Sequence, residues 1–134
     1  MSLGSWDPQA ETAAHNISIE ADTLERLAGY SRNGQLEELE QLIAGDDSQT
    51  LAGLMHLDHD QWRQAAAGLD DDSVLHLVRF FAVAENLPGW EAGEKSPVIP
   101  LAKVLRGRGQ RLDKDFLLWL RSVSDNRFLP YGPL

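Results

Sequence analysis

Cysteine is absent from the 134-residue chain, and its absence excludes several kinds of chemistry. Without thiols the protein has no disulfide bonds, no thiolate ligands for zinc and no cysteine nucleophile. A chain of this length can bury a hydrophobic core without such cross-links. Because 43% of the residues are hydrophobic and 25% are charged, the composition is that of one ordinary globular domain.

Long hydrophobic runs are also missing. The most apolar stretch, Val74 to Leu87, is interrupted by His76, Arg79 and Glu85 and falls short of the roughly 18 residues that a membrane span needs. The N-terminus has neither the basic start nor the apolar centre of a secretory signal. The sequence therefore predicts a cytoplasmic protein with no membrane segment.

Basic residues are scarce in the first two thirds of the chain. Residues 1–94 carry 18 acidic and 4 basic side chains, whereas residues 95–134 carry 3 acidic and 8 basic ones, for a net charge of −9 overall. Two interpretations of this asymmetry stay open. The basic C-terminal part either packs beside acidic helices, with the charges serving solubility, or meets an acidic partner.

Hydrophobic residues recur at helical spacing along most of the chain, and no segment shows the alternation of a β-strand. Together with capping residues and glycines, this pattern predicts about seven helices, which end near residues 30, 44, 56, 67, 86, 106 and 124. The fifth, over 72–86, is apolar around most of its circumference, so we expect it at the centre of the core.

The expected fold is one compact all-α domain over residues 18–134, preceded by a flexible arm, residues 1–17. The helices either form a bundle or stack as a short solenoid-like array of pairs. Residues 23–47 resemble an ankyrin-type helix pair, although the segment occurs once and lacks the Thr-Pro-Leu-His start of that family. Residues 69–74 resemble the start of a HEAT-type helix, again without a repeat. Both resemblances imply a protein-interaction module.

The segment from His56 to Asp60 holds the densest group of metal-ligand side chains. His56 and His59 are three residues apart, so both can reach one metal from one helical face, and Asp60 can complete the shell. The alternative is a helix boundary, because Asp58 has the position of an N-cap and would place the histidines on different helices.

His59-Asp60 also resembles the paired residues of the HD phosphohydrolases, which are helical metalloenzymes. That family needs a further histidine upstream and an aspartate downstream, for which His15 and Asp125 are the candidates. The resemblance implies a metal-dependent hydrolase.

Residues 89–96, Gly-Trp-Glu-Ala-Gly-Glu-Lys-Ser, imitate a phosphate-binding P-loop. The motif fails because Glu94 stands where a glycine must precede the lysine, and because a helix precedes the loop. Trp90 in this loop is either an apolar anchor or an aromatic contact for a partner. Further candidates for partner contact lie near the chain ends, namely Trp6, Phe128 and Tyr131.

One basic cluster stands out in the C-terminal third and comprises Lys103, Arg106, Arg108 and Arg111, with Lys114 beyond. Glycines interrupt the cluster, so an anion can approach the backbone, and nucleic acid is the first candidate. A solvated loop between two helices is the alternative interpretation.

The leading hypothesis is a non-enzymatic helical module that binds another protein, or a second copy of itself, and that needs no cofactor. A metal-dependent hydrolase using His56, His59 and Asp60 is the competing class. Nucleic-acid binding through residues 103–114 is the third.

Overall fold

The structure, a computed structural model, describes residues 21–43, 51–87, 89–110, 112–124 and Asn126. This part of the chain forms helices and turns and contains no strand, which confirms the all-α prediction. Its six α-helices are α1 (Ala21–Arg32), α2 (Leu39–Leu42), α3 (His59–Ala66), α4 (Asp71–Ala84), α5 (Val98–Gly107) and α6 (Lys114–Val123). Three short 3₁₀ helices lie between them, at Leu36–Glu38, Gly53–His56 and Gly93–Lys95.

Aspartates stand at the starts of three helices, as the sequence predicts. Asp70 Oδ1 accepts a hydrogen bond from the backbone N–H three residues ahead at 2.8 Å, and Asp113 Oδ1 does the same at 2.7 Å. Asp58 and Gln61 form a capping box at the start of α3, in which the Asp58 N–H donates to Gln61 Oε1 at 2.9 Å. Each bond satisfies a backbone group that has no partner within the helix.

Helix α4 is the central element. It packs against α1 and α5 and also contacts α6, while α3 packs on α5. The prediction that this helix lies in the core is confirmed, because its apolar side chains are almost all buried: Val74, Leu77, Val78, Phe80, Phe81, Ala82 and Ala84.

The packing order of the helices separates the two architectures that the sequence left open. In an array of helix pairs, each helix packs chiefly on its neighbours in the chain. Here α1 packs on α4, and α3 packs chiefly on α5, with its Trp62 ring also against Phe81 of α4. The described helices therefore form a bundle around α4.

Aromatic side chains connect α4 to its surroundings. Phe80 and Phe81 pack edge to face, with 5.0 Å between their ring centroids. Phe81 packs against Trp62 of α3 in the same way, also at 5.0 Å. Trp90 packs on Phe80 at 6.1 Å. These contacts hold the segment after α4 against the core, next to the end of that helix.

Two of the predicted helices differ in the structure. The second predicted helix, 35–44, is a 3₁₀ turn followed by the four-residue α2, and neither element begins with a side-chain cap. The third predicted helix, which the sequence expects to end near residue 56, ends in a 3₁₀ helix, Gly53–His56. The arm, residues 1–17, lies outside the described residues. Within the described residues, no helix is both long enough and apolar enough to cross a membrane.

Candidate functional site

The two histidines of the predicted metal group belong to different elements. His56 ends a 3₁₀ helix, whereas His59 begins α3 after the capping residue Asp58. His59 Nε2 lies 2.9 Å from the carbonyl oxygen of Glu94. Because a carbonyl oxygen only accepts, Nε2 carries the hydrogen of this bond and is not available as a metal ligand.

The third member of the group is also engaged within the chain. Asp60 forms an ion pair with Arg63, one turn along α3. Among the residues that the structure describes, no group of three or more histidines and carboxylates is arranged to hold a metal ion. His15 and Asp125, the further ligands that the phosphohydrolase resemblance requires, lie outside these residues.

The loop that imitates a P-loop is used for internal contacts. Lys95 Nζ donates to the carbonyl oxygen of His56 at 3.3 Å and lies 3.7 Å from Asp58 Oδ1. Trp90 is fully buried, with 0% of its surface exposed. Its indole ring is therefore a core anchor, and the interpretation of Trp90 as a surface contact for a partner does not fit this structure.

Arg108 of the basic cluster also serves the fold rather than an external anion. Its Nη2 donates to the carbonyl oxygen of Ala66 at 2.9 Å, and its Nη1 donates to the carbonyl oxygen of Leu69 at 2.8 Å and to Asp71 Oδ1 at 3.0 Å. A cation at the end of a helix satisfies carbonyl groups that lack partners and interacts favourably with the helix dipole. Arg108 therefore caps α3 and joins it to α4.

The remaining predicted site residues divide into two groups. Lys103 and Arg106 are exposed on α5, as an anion-binding role requires. The others lie outside the described residues, namely Arg111, Trp6, Phe128 and Tyr131.

A groove of about 440 Å³ lies where α1, α4 and α6 meet, and we call it the Arg79 groove. It is lined by Ser31, Gly34, Leu36, Glu37, Arg79, Val83, Asn86, Trp119 and Val123. The groove thus combines apolar side chains with one cation, Arg79, and one acidic residue, Glu37.

Aromatic rings hold Arg79 in place. Its guanidinium carbon lies 4.5 Å from the centroid of the Trp119 ring and 6.0 Å from that of Phe116. Its Nε donates to Ser31 Oγ at 3.2 Å. No carboxylate among the described residues forms an ion pair with it, so the cation is positioned but not neutralised.

The hydroxyl that receives this bond also joins α1 to His76. Ser31 Oγ lies 2.7 Å from His76 Nδ1. Burial lowers the pKa of His76, an effect larger than the opposing influence of Asp72, so the neutral ring is favoured. In the neutral form Nδ1 can accept the hydroxyl hydrogen of Ser31, which leaves the oxygen free to accept from Arg79.

Helix α6, beside the groove, is only partly covered. Leu120 is its one fully buried residue, whereas Leu118 is 55% exposed. Its other apolar side chains are half-buried, namely Phe116, Leu117, Trp119 and Val123. Lys114 and Arg121 are exposed on the same helix, so α6 offers apolar and basic side chains together.

A second cavity, of about 460 Å³, lies at the C-terminal end of α4, and we call it the Glu85 cavity. It is lined by Glu85, Asn86, Glu91, Ala92, Gly93, Ser124 and Asn126. Asn86 lines both cavities, and its Nδ2 donates to the carbonyl oxygen of Val123 at 2.6 Å. This bond ties the end of α6 to the end of α4 between the two cavities.

Glu85 is the one ionisable residue among the buried residues of the described chain, with 6% of its surface exposed. Its Oε2 accepts the Ser96 hydroxyl at 3.0 Å, and its Oε1 accepts from Asn126 Nδ2 at 3.0 Å. Burial raises the pKa of Glu85 to about 7, although the two hydrogen bonds act in the opposite direction. A buried carboxyl beside a cavity, with a pKa close to neutrality, is typical of functional sites.

Glu85 is not among the site residues that the sequence predicts. The available signal was weak, since Glu85 appears only as one acidic interruption near the end of the most apolar stretch. Its partners follow 11 and 41 residues later in the chain, a separation that no motif encodes.

Comparison with known proteins identifies no relative, since no family model, no curated protein and no solved structure matches the chain.

Proposed function

We propose that this protein is a non-enzymatic interaction module of the cytoplasm that binds an acidic, amphipathic segment of another protein along α6 and the Arg79 groove. The observations that carry the proposal are the incomplete cover of α6, where Leu118 is 55% exposed, and the Trp119 ring of the same helix, which lines the groove and stacks on the cation Arg79. Helix-in-groove recognition uses this combination of an apolar groove and flanking charges.

The chemistry of the surface supports a partner with acidic residues. Lys114 and Arg121 are exposed on α6, and Arg79 has no ion-pair partner among the described residues. Trp and Arg are the side chains that most often dominate binding energy at interfaces, and complementary charge speeds association. Glu37 lines the groove at the Leu36 end, so we expect the acidic residues of the partner at the Trp119 end.

Two exposed leucines provide a matched pair of variants. Leu118 is 55% exposed on α6, and Leu42 is 40% exposed on α2. We would capture partners from a lysate of the source organism with wild type, Leu118→Asp and Leu42→Asp after nuclease treatment. The binding segment of the captured protein would then be made as a peptide and titrated against each variant.

The proposal expects an acidic peptide that binds wild type and Leu42→Asp alike. Binding should weaken at least tenfold in Leu118→Asp and in Arg79→Glu, because the first buries a charge and the second repels the partner. Equal binding to Leu118→Asp and wild type would overturn the proposal. A dimer in light scattering that Leu118→Asp dissociates would identify a second copy of the chain as the occupant instead.

The two other hypotheses gain no support from the described residues. Arg108 is used as a helix cap, which leaves Lys103, Arg106 and Lys114 as the described cations of this segment that are exposed to nucleic acid. His59 and Asp60 are each engaged with neighbouring groups. Loss of the captured partner on nuclease treatment would favour nucleic-acid binding.

A further inference from the structure

The Glu85 cavity places a buried carboxyl group beside open space, and none of the cations that the structure describes forms an ion pair with it. Glu85 is more than nine-tenths buried and lines the cavity. Ser96 and Asn126, which donate hydrogen bonds to its carboxylate, are both neutral, and no basic side chain of the described residues forms an ion pair with it. A buried carboxylate without an opposite charge costs several kcal/mol, on the order of the Born penalty after relaxation.

The other walls of the cavity are also suited to positive charge. Glu91 adds a second carboxylate, whose Oε2 accepts the backbone N–H of Gly89 at 3.2 Å. Asn86 contributes an amide, and no lysine, arginine or histidine lines the cavity in the described part of the chain. The volume, about 460 Å³, lies within the range of roughly 300–1,000 Å³ that is usual for small-molecule sites.

We propose that the Glu85 cavity binds a small organic cation, a primary ammonium or guanidinium compound, whose charged group pairs with the Glu85 carboxylate and whose remaining atoms occupy the space beside Glu91. Each carboxylate oxygen of Glu85 accepts one hydrogen bond within the protein. Each oxygen has a second lone pair, so N–H donors of the ligand have acceptors available.

A metal ion fits the cavity less well than an organic cation. Calcium takes six to eight oxygen ligands, and magnesium requires near-ideal octahedral geometry. The cavity provides two carboxylates, and no group of three or more acidic or histidine side chains in the described residues is placed to hold a metal. The volume is also far larger than a bare ion needs, whereas an alkyl chain next to Ala92 would fill it.

The test uses butylguanidinium and butylammonium chloride as probes, with butyramide as a neutral control of similar size. Binding is measured by calorimetry and by the shift in melting temperature at pH 8, where Glu85 is ionised. We expect saturable binding of at least one cation to wild type and none of butyramide. Glu85→Gln should weaken that binding at least tenfold, and Glu40→Gln, an exposed carboxylate on α2, should leave it unchanged.

Three outcomes would overturn the inference. In the first, wild type shows neither binding nor a melting-temperature shift with butylguanidinium or butylammonium at millimolar concentration. In the second, wild type and Glu85→Gln bind the cation equally, and in the third only CaCl₂ shifts the melting temperature. Circular dichroism checks that Glu85→Gln is folded. The result is independent of the proposed partner, because Leu118 does not line this cavity.

Discussion

Ser96 and Glu85 form a buried pair in which the serine hydroxyl donates to the glutamate carboxylate at 3.0 Å. Ser96 is 0% exposed, and its Oγ also accepts the backbone N–H of Val98 at 3.2 Å. One hydroxyl therefore stabilises the start of α5 and the carboxyl group at the end of α4. A serine followed by proline is typical of an N-cap and a first helical residue, but α5 begins at Val98 with Pro97 in the N-cap position, so Ser96 lies one residue before the cap.

Removing this hydroxyl should affect both ends of the pair. We expect Ser96→Ala to destabilise the protein by about 1–3 kcal/mol, because a buried acceptor loses its donor. The pKa of Glu85 should rise further above about 7, since the Ser96 hydrogen bond lowers it. The carboxyl resonance of Glu85, followed by NMR against pH, measures this shift. Ser122→Ala, at an exposed position of α6, is the control and should leave the titration unchanged.

The pH dependence of stability should carry the signature of Glu85. Its pKa is raised from an ordinary 4.5 to about 7 in the folded state, so the unfolded chain releases this proton at lower pH than the folded chain. The contribution of Glu85 to stability is therefore fully present below about pH 4.5 and is lost as the pH rises through about 7, a change of roughly 3 kcal/mol once the folded-state carboxyl is ionised.

Urea unfolding of wild type and Glu85→Gln between pH 4.5 and 8 tests this expectation. The glutamine variant should gain stability relative to wild type as the pH rises, because it has no charge to bury. The lowered pKa of His76 acts in the opposite direction, but His76 is present in both proteins and cancels in the difference. A constant difference across this range would show that Glu85 titrates normally.

Arg108 should matter to stability more than its exposed neighbour. Its guanidinium makes three hydrogen bonds, to Ala66, Leu69 and Asp71, and loss of these charge-assisted bonds in Arg108→Ala should cost about 1.5–3 kcal/mol. Arg106 is exposed on the same helix, so Arg106→Ala should change stability by less than about 0.5 kcal/mol. Thermal or urea unfolding compares the two, and equal effects would contradict the capping role of Arg108.

Trp62 carries a buried indole N–H for which the described part of the chain offers no hydrogen-bond acceptor. Its ring packs against Phe81 at 5.0 Å. In Trp62→Phe, relief of the unpaired N–H should offset part of the lost packing, for a net change within about 1 kcal/mol. Trp62→Ala should cost about 3–5 kcal/mol, because it leaves a cavity in the core. Similar losses in both variants, measured by urea unfolding, would indicate that the N–H is satisfied.

Much of the local structure could be predicted because it depends on residues close together in the chain. The N-cap residues of α3, α4 and α6 are Asp58, Asp70 and Asp113, and each stands directly before the apolar period of its helix, so a helix start near each can be read from neighbouring residues. The second predicted helix is shorter than expected, since residues 36–38 form a 3₁₀ turn without a side-chain cap. Hydrophobic periodicity predicts which face of a segment is buried more reliably than it predicts the length of the helix.

The candidate sites were less accessible to prediction. The sequence marks Trp90 and Arg108 as candidate contacts. A tryptophan in a loop can nevertheless bind a partner or pack in the core, and an arginine in a basic cluster can bind an anion or cap a helix. The choice depends on which groups lie opposite them in space. For Arg108 these groups are 37 to 42 residues earlier in the chain.

The sequence by itself determined the helical class, the absence of thiol chemistry, most helix starts and the central position of α4, because periodicity, composition and capping are local properties. Only the tertiary structure decided that the helices pack as a bundle, that Arg108 caps α3 and that Glu85 is buried beside a cavity. Those outcomes depend on contacts between residues far apart in the chain, and such contacts exist only once α1, α3, α5 and α6 have packed.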